Sequence, residues 1–184
     1  MVPASPLQAT DHGLVPRGEG WFVVNAREAR WLHTPGRSAI CPFEGWEEGE
    51  QEFAQLGINL TVLQPGESMG MYHWEADQED FLVLSGEALL LVEGEERPLR
   101  RWDLVHCPPG TKHILVGAGD APCLVLAVGS REFADTPGWG GYTVDEAALR
   151  HGVGVKEDTT DPKQAYAALP KRKPTRYREG WLPD

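Results

Sequence analysis

The sequence predicts an all-β core followed by short helices near the carboxyl end. Glycine and proline account for 21 and 15 of the 184 residues, a density of turn formers that suits many short strands better than long helices. Between residues 52 and 131, apolar runs of strand length alternate with Gly, Pro and acidic turns about every 8 to 12 residues. This spacing is typical of a β-sandwich or a small barrel.

The charge balance excludes several partners. Lys and Arg number 17 against 28 Asp and Glu, which gives a net charge of −11. Nucleic acids and anionic membranes both attract cationic surfaces, so neither is an expected partner. The apolar runs are shorter than the roughly 20 residues that span a bilayer. The amino terminus lacks the basic start and apolar run of a secretory signal, so we expect a cytoplasmic protein. Its expected ligand is a small molecule.

Composition divides the chain into four segments. Residues 1–20 are rich in Pro and Gly and are expected to form an extended arm, and residues 21–50 form a strand and loop lead-in. Residues 51–131 hold the barrel, and residues 132–184 form a carboxyl-terminal extension with two short helices and a basic tail. The acidic run of the lead-in, with Glu44, Glu47, Glu48 and Glu50, is interpreted as a solvated surface.

Capping residues place the two helices of the extension. Thr143 followed by Glu146 has the spacing of a capping box. Asp161 before Pro162 predicts a second helix that runs on until Pro170 stops it.

The tail has the opposite charge to the rest of the chain. Beyond residue 155, seven Lys and Arg face five Asp and Glu, a net of +2 that leaves −13 on the remainder. We expect this tail to dock on its own body or on a partner subunit, with Tyr177, Trp181 and Leu182 as apolar anchors.

Polar residues capable of metal ligation lie at the starts of neighbouring predicted strands. Met69, Met71, His73 and Glu75 share one parity and so point to one face of a strand. An imidazole and a carboxylate two residues apart can converge on one ion about 2.0–2.2 Å from each. Glu79 has the parity of the apolar residues that follow it and would also point inward. By itself this pattern is a weak signal.

Two sequence motifs with a characteristic spacing strengthen the prediction of a metal site. Gly66, His73-Trp74-Glu75, Glu79 and Gly86 follow one another at the spacing of the first signature motif of the cupin superfamily. Asp103, then Pro108-Pro109-Gly110 and His113 resemble the second motif. The chain is therefore similar to a cupin over about residues 60 to 130.

The resemblance implies a double-stranded β-helix, the jelly-roll barrel of cupins, with one metal ion inside. His73, Glu79 and His113 fall on ligand positions of the family, and Glu75 stands where the family has a second His. Two imidazoles and two carboxylates would neutralise a divalent ion and favour Mn²⁺ or Fe²⁺, with Zn²⁺ still compatible. Alternatively, Glu75 is a general base beside a three-ligand metal, or the site is empty.

The expected function is that of a metal-binding cupin which binds or transforms a small oxygen-bearing molecule, an acid or a sugar. If it is an enzyme, the resemblance implies a metal-dependent oxygenase or an isomerase or lyase, with no catalytic residue assigned. A non-catalytic binding or sensing module and a metal-free structural dimer are the alternatives. The terminal arms are compatible with a homodimer.

Four residues near the motifs have structural interpretations. His106 is expected to pack against the structure, and Cys107 to be a buried, inert thiol. Trp102 occupies a turn position where the family motif has Gly, so the turn is expected to have a conformation that an L-residue tolerates. Phe81 is expected in the core.

Overall fold

The computed structural model describes residues 1–47, 50, 52–134 and 136–183. The strands of these residues are β1 (Leu7–Thr10), β2 (Gly13–Pro16), β3 (Trp31–His33), β4 (Ser38–Cys41), β5 (Leu56–Leu63), β6 (His73–Glu75), β7 (Glu79–Ser85), β8 (Glu87–Val92), β9 (Glu95–Arg100), β10 (Leu104–Cys107), β11 (His113–Ala118), β12 (Cys123–Ser130), β13 (Gly140–Tyr142) and β14 (Lys173–Thr175). The helices are α1 (Glu146–Arg150) and α2 (Pro162–Ala165). Neither helix is long or apolar enough to cross a membrane.

Two antiparallel sheets form the barrel. The larger has the strand order β10-β7-β12-β5-β4-β3-β14, and the smaller has the order β13-β6-β11-β8-β9. Apart from the hairpin β8–β9 in the smaller sheet, consecutive strands from β5 to β12 alternate between the two sheets, as in the predicted double-stranded β-helix. The predicted fold class is confirmed.

Strand alternation places an apolar core between the sheets. On β7, Phe81 and Val83 are buried inside the barrel, while Leu82 between them is half-buried on the outer face. On β5, Leu63 faces the barrel interior and Val62 belongs to a second apolar cluster outside it. Each sheet therefore has one face inside the barrel and another that needs its own cover.

The two ends of the chain supply that cover. Residues 1–20, expected as an extended arm, contain the hairpin β1–β2. The tail adds β14 to the edge of the larger sheet, beside β3. The Trp181 ring packs 5.0 Å from the ring of Trp31, and Tyr177 lies 6.2 Å from the same ring. The tail thus docks on its own body through predicted anchors.

One of the two predicted helix starts is wrong. Asp145, not Thr143, caps α1, because its carboxylate accepts a hydrogen bond from the amide of Ala148 at 2.8 Å. Asp161 caps α2 as predicted, with Pro162 in the first turn, although the α-helix ends at Ala165.

The acidic run of the lead-in is not a solvated surface as a whole. Glu50 has a side chain only 2% exposed and forms two hydrogen bonds with the guanidinium of Arg30, at 2.6 and 3.0 Å. Glu44 is buried and paired with Arg131 on the barrel. Glu47 is exposed, as expected, and Glu48 lies outside the described residues. The sequence interpretation failed because each partner lies far away along the chain.

The turn at Trp102 differs from the expectation. Its φ of 76° lies in the left-handed region, which an L-residue adopts at a cost of about 1–2 kcal/mol. The amide of Trp102 donates to the carbonyl of Val83 at 2.8 Å, and the guanidinium of Arg101 lies 4.6 Å from the exposed ring. These contacts offset part of the strain.

Replacing Glu50 by Gln is expected to lower the free energy of unfolding near neutral pH by about 3 kcal/mol, because Arg30 is left buried without its charge partner. Although burial alone would raise it, the hydrogen bonds from Arg30 and from two backbone amides lower the pKa of Glu50 from 4.5 to about 2. A carboxylate with a lowered pKa stabilises the fold above its unfolded pKa, and this contribution is lost as the pH falls towards the folded value.

Urea unfolding of the wild type and of Glu50→Gln measures this loss. The difference between their free energies of unfolding should shrink as the pH is lowered from about 5 to about 2. Glu47→Gln is the matched control, because the Glu47 side chain is 59% exposed and lies 3.9 Å from Arg30. An equal loss of stability in both variants would contradict the assignment.

Candidate metal centre

Three side chains from three strands converge inside the barrel. The Nε2 atom of His113 lies 3.3 Å from Oε2 of Glu79, and the Nε2 atom of His73 lies 3.7 Å from the same oxygen. One potential ligand atom from each residue lies within 4.8 Å of the other two. A single ion can therefore contact all three.

Register explains why these residues meet. His73 on β6 is the direct cross-strand partner of His113 on β11, and their ring centroids lie 5.1 Å apart. Glu79 begins β7 in the other sheet, opposite Cys107 of β10. The site is thus formed where the ends of the two sheets approach each other.

Backbone carbonyls orient both imidazoles. Nδ1 of His73 lies 2.8 Å from the carbonyl oxygen of Met71, and Nδ1 of His113 lies 3.0 Å from that of Thr111. A carbonyl oxygen can only accept, so each Nδ1 carries the hydrogen and donates it. In the neutral ring, Nε2 then has the free lone pair that a metal requires.

The donor set fits a metal ion because two of its buried atoms have no hydrogen-bond partner among the described residues. Oε2 of Glu79 and Nε2 of His113 are both in this state, although they lie only 3.3 Å apart. A buried polar atom left unpaired costs about 1–3 kcal/mol. A cation between the two atoms would satisfy both.

The protonation of His113 affects metal binding at this site. Burial opposes a charge on His113, but the neighbouring Cys107 and Glu79 more than offset it and raise the pKa of His113 to about 10. A metal ion must therefore displace a proton from this ring in order to bind.

Glu75 borders the three-residue group without belonging to it. Its Oε1 lies 3.3 Å from Nε2 of His73, but the group of three with mutually close ligand atoms does not include it. Burial, and then the nearby carboxylate of Glu79, raise the pKa of Glu75. The structure thus brings the four predicted residues to one place, with Glu75 at the margin.

Two cavities meet at Glu75. One, of about 460 Å³, is also lined by Glu79, Asn59 and Trp139. The other, of about 310 Å³, is lined by His73 and Tyr142. Small-molecule sites commonly have about 300–1,000 Å³, so either cavity is large enough for a compact ligand.

Contrary to the expectation from the sequence, His106 does not pack against the core. It lies on the outer face of edge strand β10, with its side chain 55% exposed and Nδ1 2.6 Å from Oδ1 of Asp80. Cys107 is buried as expected, beside His113. Phe81 is in the core, with its ring 5.3 Å from that of His113.

The sequence interpretation missed Asp77, which positions one wall of the site. Its buried carboxylate accepts hydrogen bonds from Oγ of Ser130 at 2.7 Å, from Nε1 of Trp139 at 2.8 Å and from backbone amides after β12. Burial opposes this charge, but the hydrogen bonds prevail and lower the pKa of Asp77. Its only signal in the sequence was its place in the turn before Glu79.

Comparison with known families agrees with the fold and the motifs. Residues 59–129, which span β5 to β12 and contain all four predicted site residues, match the family model of the cupin domain. The match identifies residues 59–129 as a cupin domain.

The matching curated proteins include two archaeal enzymes. The chain is 29% identical to the glucose-6-phosphate isomerase of Pyrococcus horikoshii over 124 residues, which is 60% of this chain and 64% of that protein. It is 32% identical to the glucose-6-phosphate isomerase of Pyrococcus abyssi over 94 residues, 44% of this chain and 50% of that one. The chain thus spans between half and two thirds of these relatives.

Solved structures with a similar fold include a sugar phosphate isomerase of the cupin superfamily from Silicibacter pomeroyi. It is 29% identical, with a TM-score of 0.45, and the match covers 55% of this chain and 70% of that one. A cupin 2 conserved barrel domain protein from Salinispora arenicola is 23% identical with a TM-score of 0.48, over 62% of this chain and 92% of that one.

Proposed function

We propose that this cupin holds one divalent metal ion, Mn²⁺, Fe²⁺ or Zn²⁺, at His73, Glu79 and His113. The observation that carries the proposal is the pair of buried, unpartnered atoms, Oε2 of Glu79 and Nε2 of His113, within 4.8 Å of a donor atom of His73. Nitrogen and carboxylate donors together suit these three metals. Three protein ligands leave coordination positions open for a small molecule.

We infer further that the small molecule is a sugar phosphate and that the reaction is an aldose–ketose isomerisation. Two curated relatives are named for the isomerisation of glucose 6-phosphate. When bound, a divalent ion supplies Lewis acidity that polarises a carbonyl group. This reaction needs no oxidant: a proton moves from the carbon next to the carbonyl to the former carbonyl carbon, and the hydroxyl proton of that neighbouring carbon moves to the former carbonyl oxygen, so that the two carbons exchange oxidation levels.

We assign Glu75 as the general base that carries this proton between the two carbons. Its carboxylate lies beside the three-residue group and lines both cavities, and burial raises its pKa, which strengthens it as a base. Phe81, with its ring next to His113, and the barrel core below it keep water from the inner side of the site.

Replacing His113 by Ala is expected to weaken binding of Mn²⁺ or Zn²⁺ by more than about 100-fold, since it removes one of three ligands, and the one that is most deeply buried. Elemental analysis after equilibrium dialysis against each metal measures the loss. His106→Ala is the matched control, because that imidazole is outside the barrel and paired with Asp80. Metal content equal to wild type in His113→Ala would refute the assigned site.

Replacing Glu75 by Gln separates its two possible roles. As a base, Glu75 is dispensable for the metal, so Glu75→Gln should bind metal within about threefold of wild type. Interconversion of glucose 6-phosphate and fructose 6-phosphate should fall by about 100-fold or more, the usual effect of losing a general base. If the variant instead loses metal as His113→Ala does, Glu75 is the fourth ligand that the motif spacing predicted.

The wild-type protein loaded with each metal gives the test of catalysis itself. Turnover of glucose 6-phosphate supports the isomerase. Binding of sugar phosphates without turnover would favour the alternative of a binding or sensing module.

A further inference from the structure

A third pocket, of about 550 Å³, lies outside the barrel between the β3–β4 turn, α2 and the start of the tail. Four cationic side chains line it: Arg37, Lys163, Lys171 and Arg172. No Asp or Glu of the described residues is among its lining. On a chain with a net charge of −11, this local excess of positive charge needs an explanation.

Among the described residues, the groups that accept hydrogen bonds from the Arg37 guanidinium are all neutral. Its guanidinium donates to Oγ of Ser68 at 2.6 Å, to the carbonyl of Gly70 at 3.0 Å and to that of Gly152 at 3.1 Å. These bonds fix the side chain but leave its positive charge uncompensated. Burial lowers the pKa of Arg37, as expected for a cation drawn out of water.

Arg172 is similarly without an acidic partner. In the part of the chain that the structure describes, no carboxylate lies within 4.0 Å of its guanidinium, which instead sits 5.2 Å from the ring of Trp46. Its hydrogen bond to Oγ1 of Thr34 is long, at 3.5 Å. The other arginines that are not exposed, Arg17, Arg30 and Arg131, are all paired with buried carboxylates.

We propose that this cationic pocket binds the phosphate group of an organic phosphate. A phosphate dianion needs several cationic donors at once, and arginine guanidinium groups bind it in fixed geometry. Met69, Trp46 and Leu169 add apolar walls, which suit the carbon skeleton of such a ligand better than a free inorganic ion.

The pocket is separated from the candidate metal centre by Tyr166. This residue lines both the cationic pocket and the cavity next to His73. Its hydroxyl accepts from the amide of Met71 at 3.2 Å, and the carbonyl of Met71 is the group that orients His73. The ligand is thus either the phosphate end of a molecule that reaches the metal centre or a separate phosphorylated effector, and the proposal does not depend on isomerase activity.

Calorimetric titration with inorganic phosphate and with glucose 6-phosphate tests the proposal. Lys163→Gln/Lys171→Gln should weaken binding of both probes by about tenfold, because two charge-assisted contacts are lost. Lys112→Gln/Lys156→Gln is the matched control, since neither lysine lines this pocket and the net charge changes equally. Arg172→Gln provides an independent variant, with circular dichroism to verify its fold.

The measured affinities decide whether the pocket binds phosphate. The kinetic measurements decide whether that phosphate belongs to the substrate or to a separate effector. No binding of either probe to wild type at millimolar concentration, or equal weakening in the control, would overturn the proposal. If the pocket variant also raises KM for glucose 6-phosphate about tenfold while the control does not, the phosphate belongs to the substrate. Weaker phosphate binding with unchanged KM identifies a separate effector.

Discussion

The structure depends on one electrostatic constraint, the enclosure of a carboxylate and two imidazoles in the barrel between two apolar sheets. Glu79, His73 and His113 are drawn out of water by the same strand pairing that buries Phe81 and Val83. Polar groups in such surroundings are costly unless they are paired. Once the His113 ring has released its proton, Glu79 and His113 bring a negative charge and a lone pair to one point, which makes the place suitable for a cation.

The ligand positions could be predicted from the sequence because they depend on local geometry. Strand periodicity fixes that Glu79, Phe81 and Val83 share a face, and the turn at Pro108–Gly110 fixes where the strand of His113 begins. The same rule placed Glu75 next to His73 but at the margin of the three-residue group, where β6 ends. His106 was misjudged because β10 is an edge strand and its outer face stays in water.

Contacts between distant parts of the chain could not be predicted. Glu44 and Arg131 are 87 residues apart, and nothing in either neighbourhood marks them as partners. Asp77 likewise gives no sign that it will collect donors from the segment after β12. Trp102 shows a different limit, because a position that favours Gly can be occupied by an L-residue when a backbone hydrogen bond holds the turn. Whether two copies of the chain associate stays a prediction.

The distribution of ion pairs gives the net charge a meaning that its total lacks. Arg17, Arg30 and Arg131 are all engaged by the buried carboxylates of Glu44 and Glu50, which removes them from the surface potential. The remaining carboxylates could equally have neutralised Arg37 and Arg172, since acid is in excess. Long-range attraction in an acidic protein favours such pairing, so cations that stay unpaired and half-buried must be held there by packing. Hydrogen bonds to Ser68 and Gly70 hold the Arg37 side chain in place, and contact with the Trp46 ring holds Arg172.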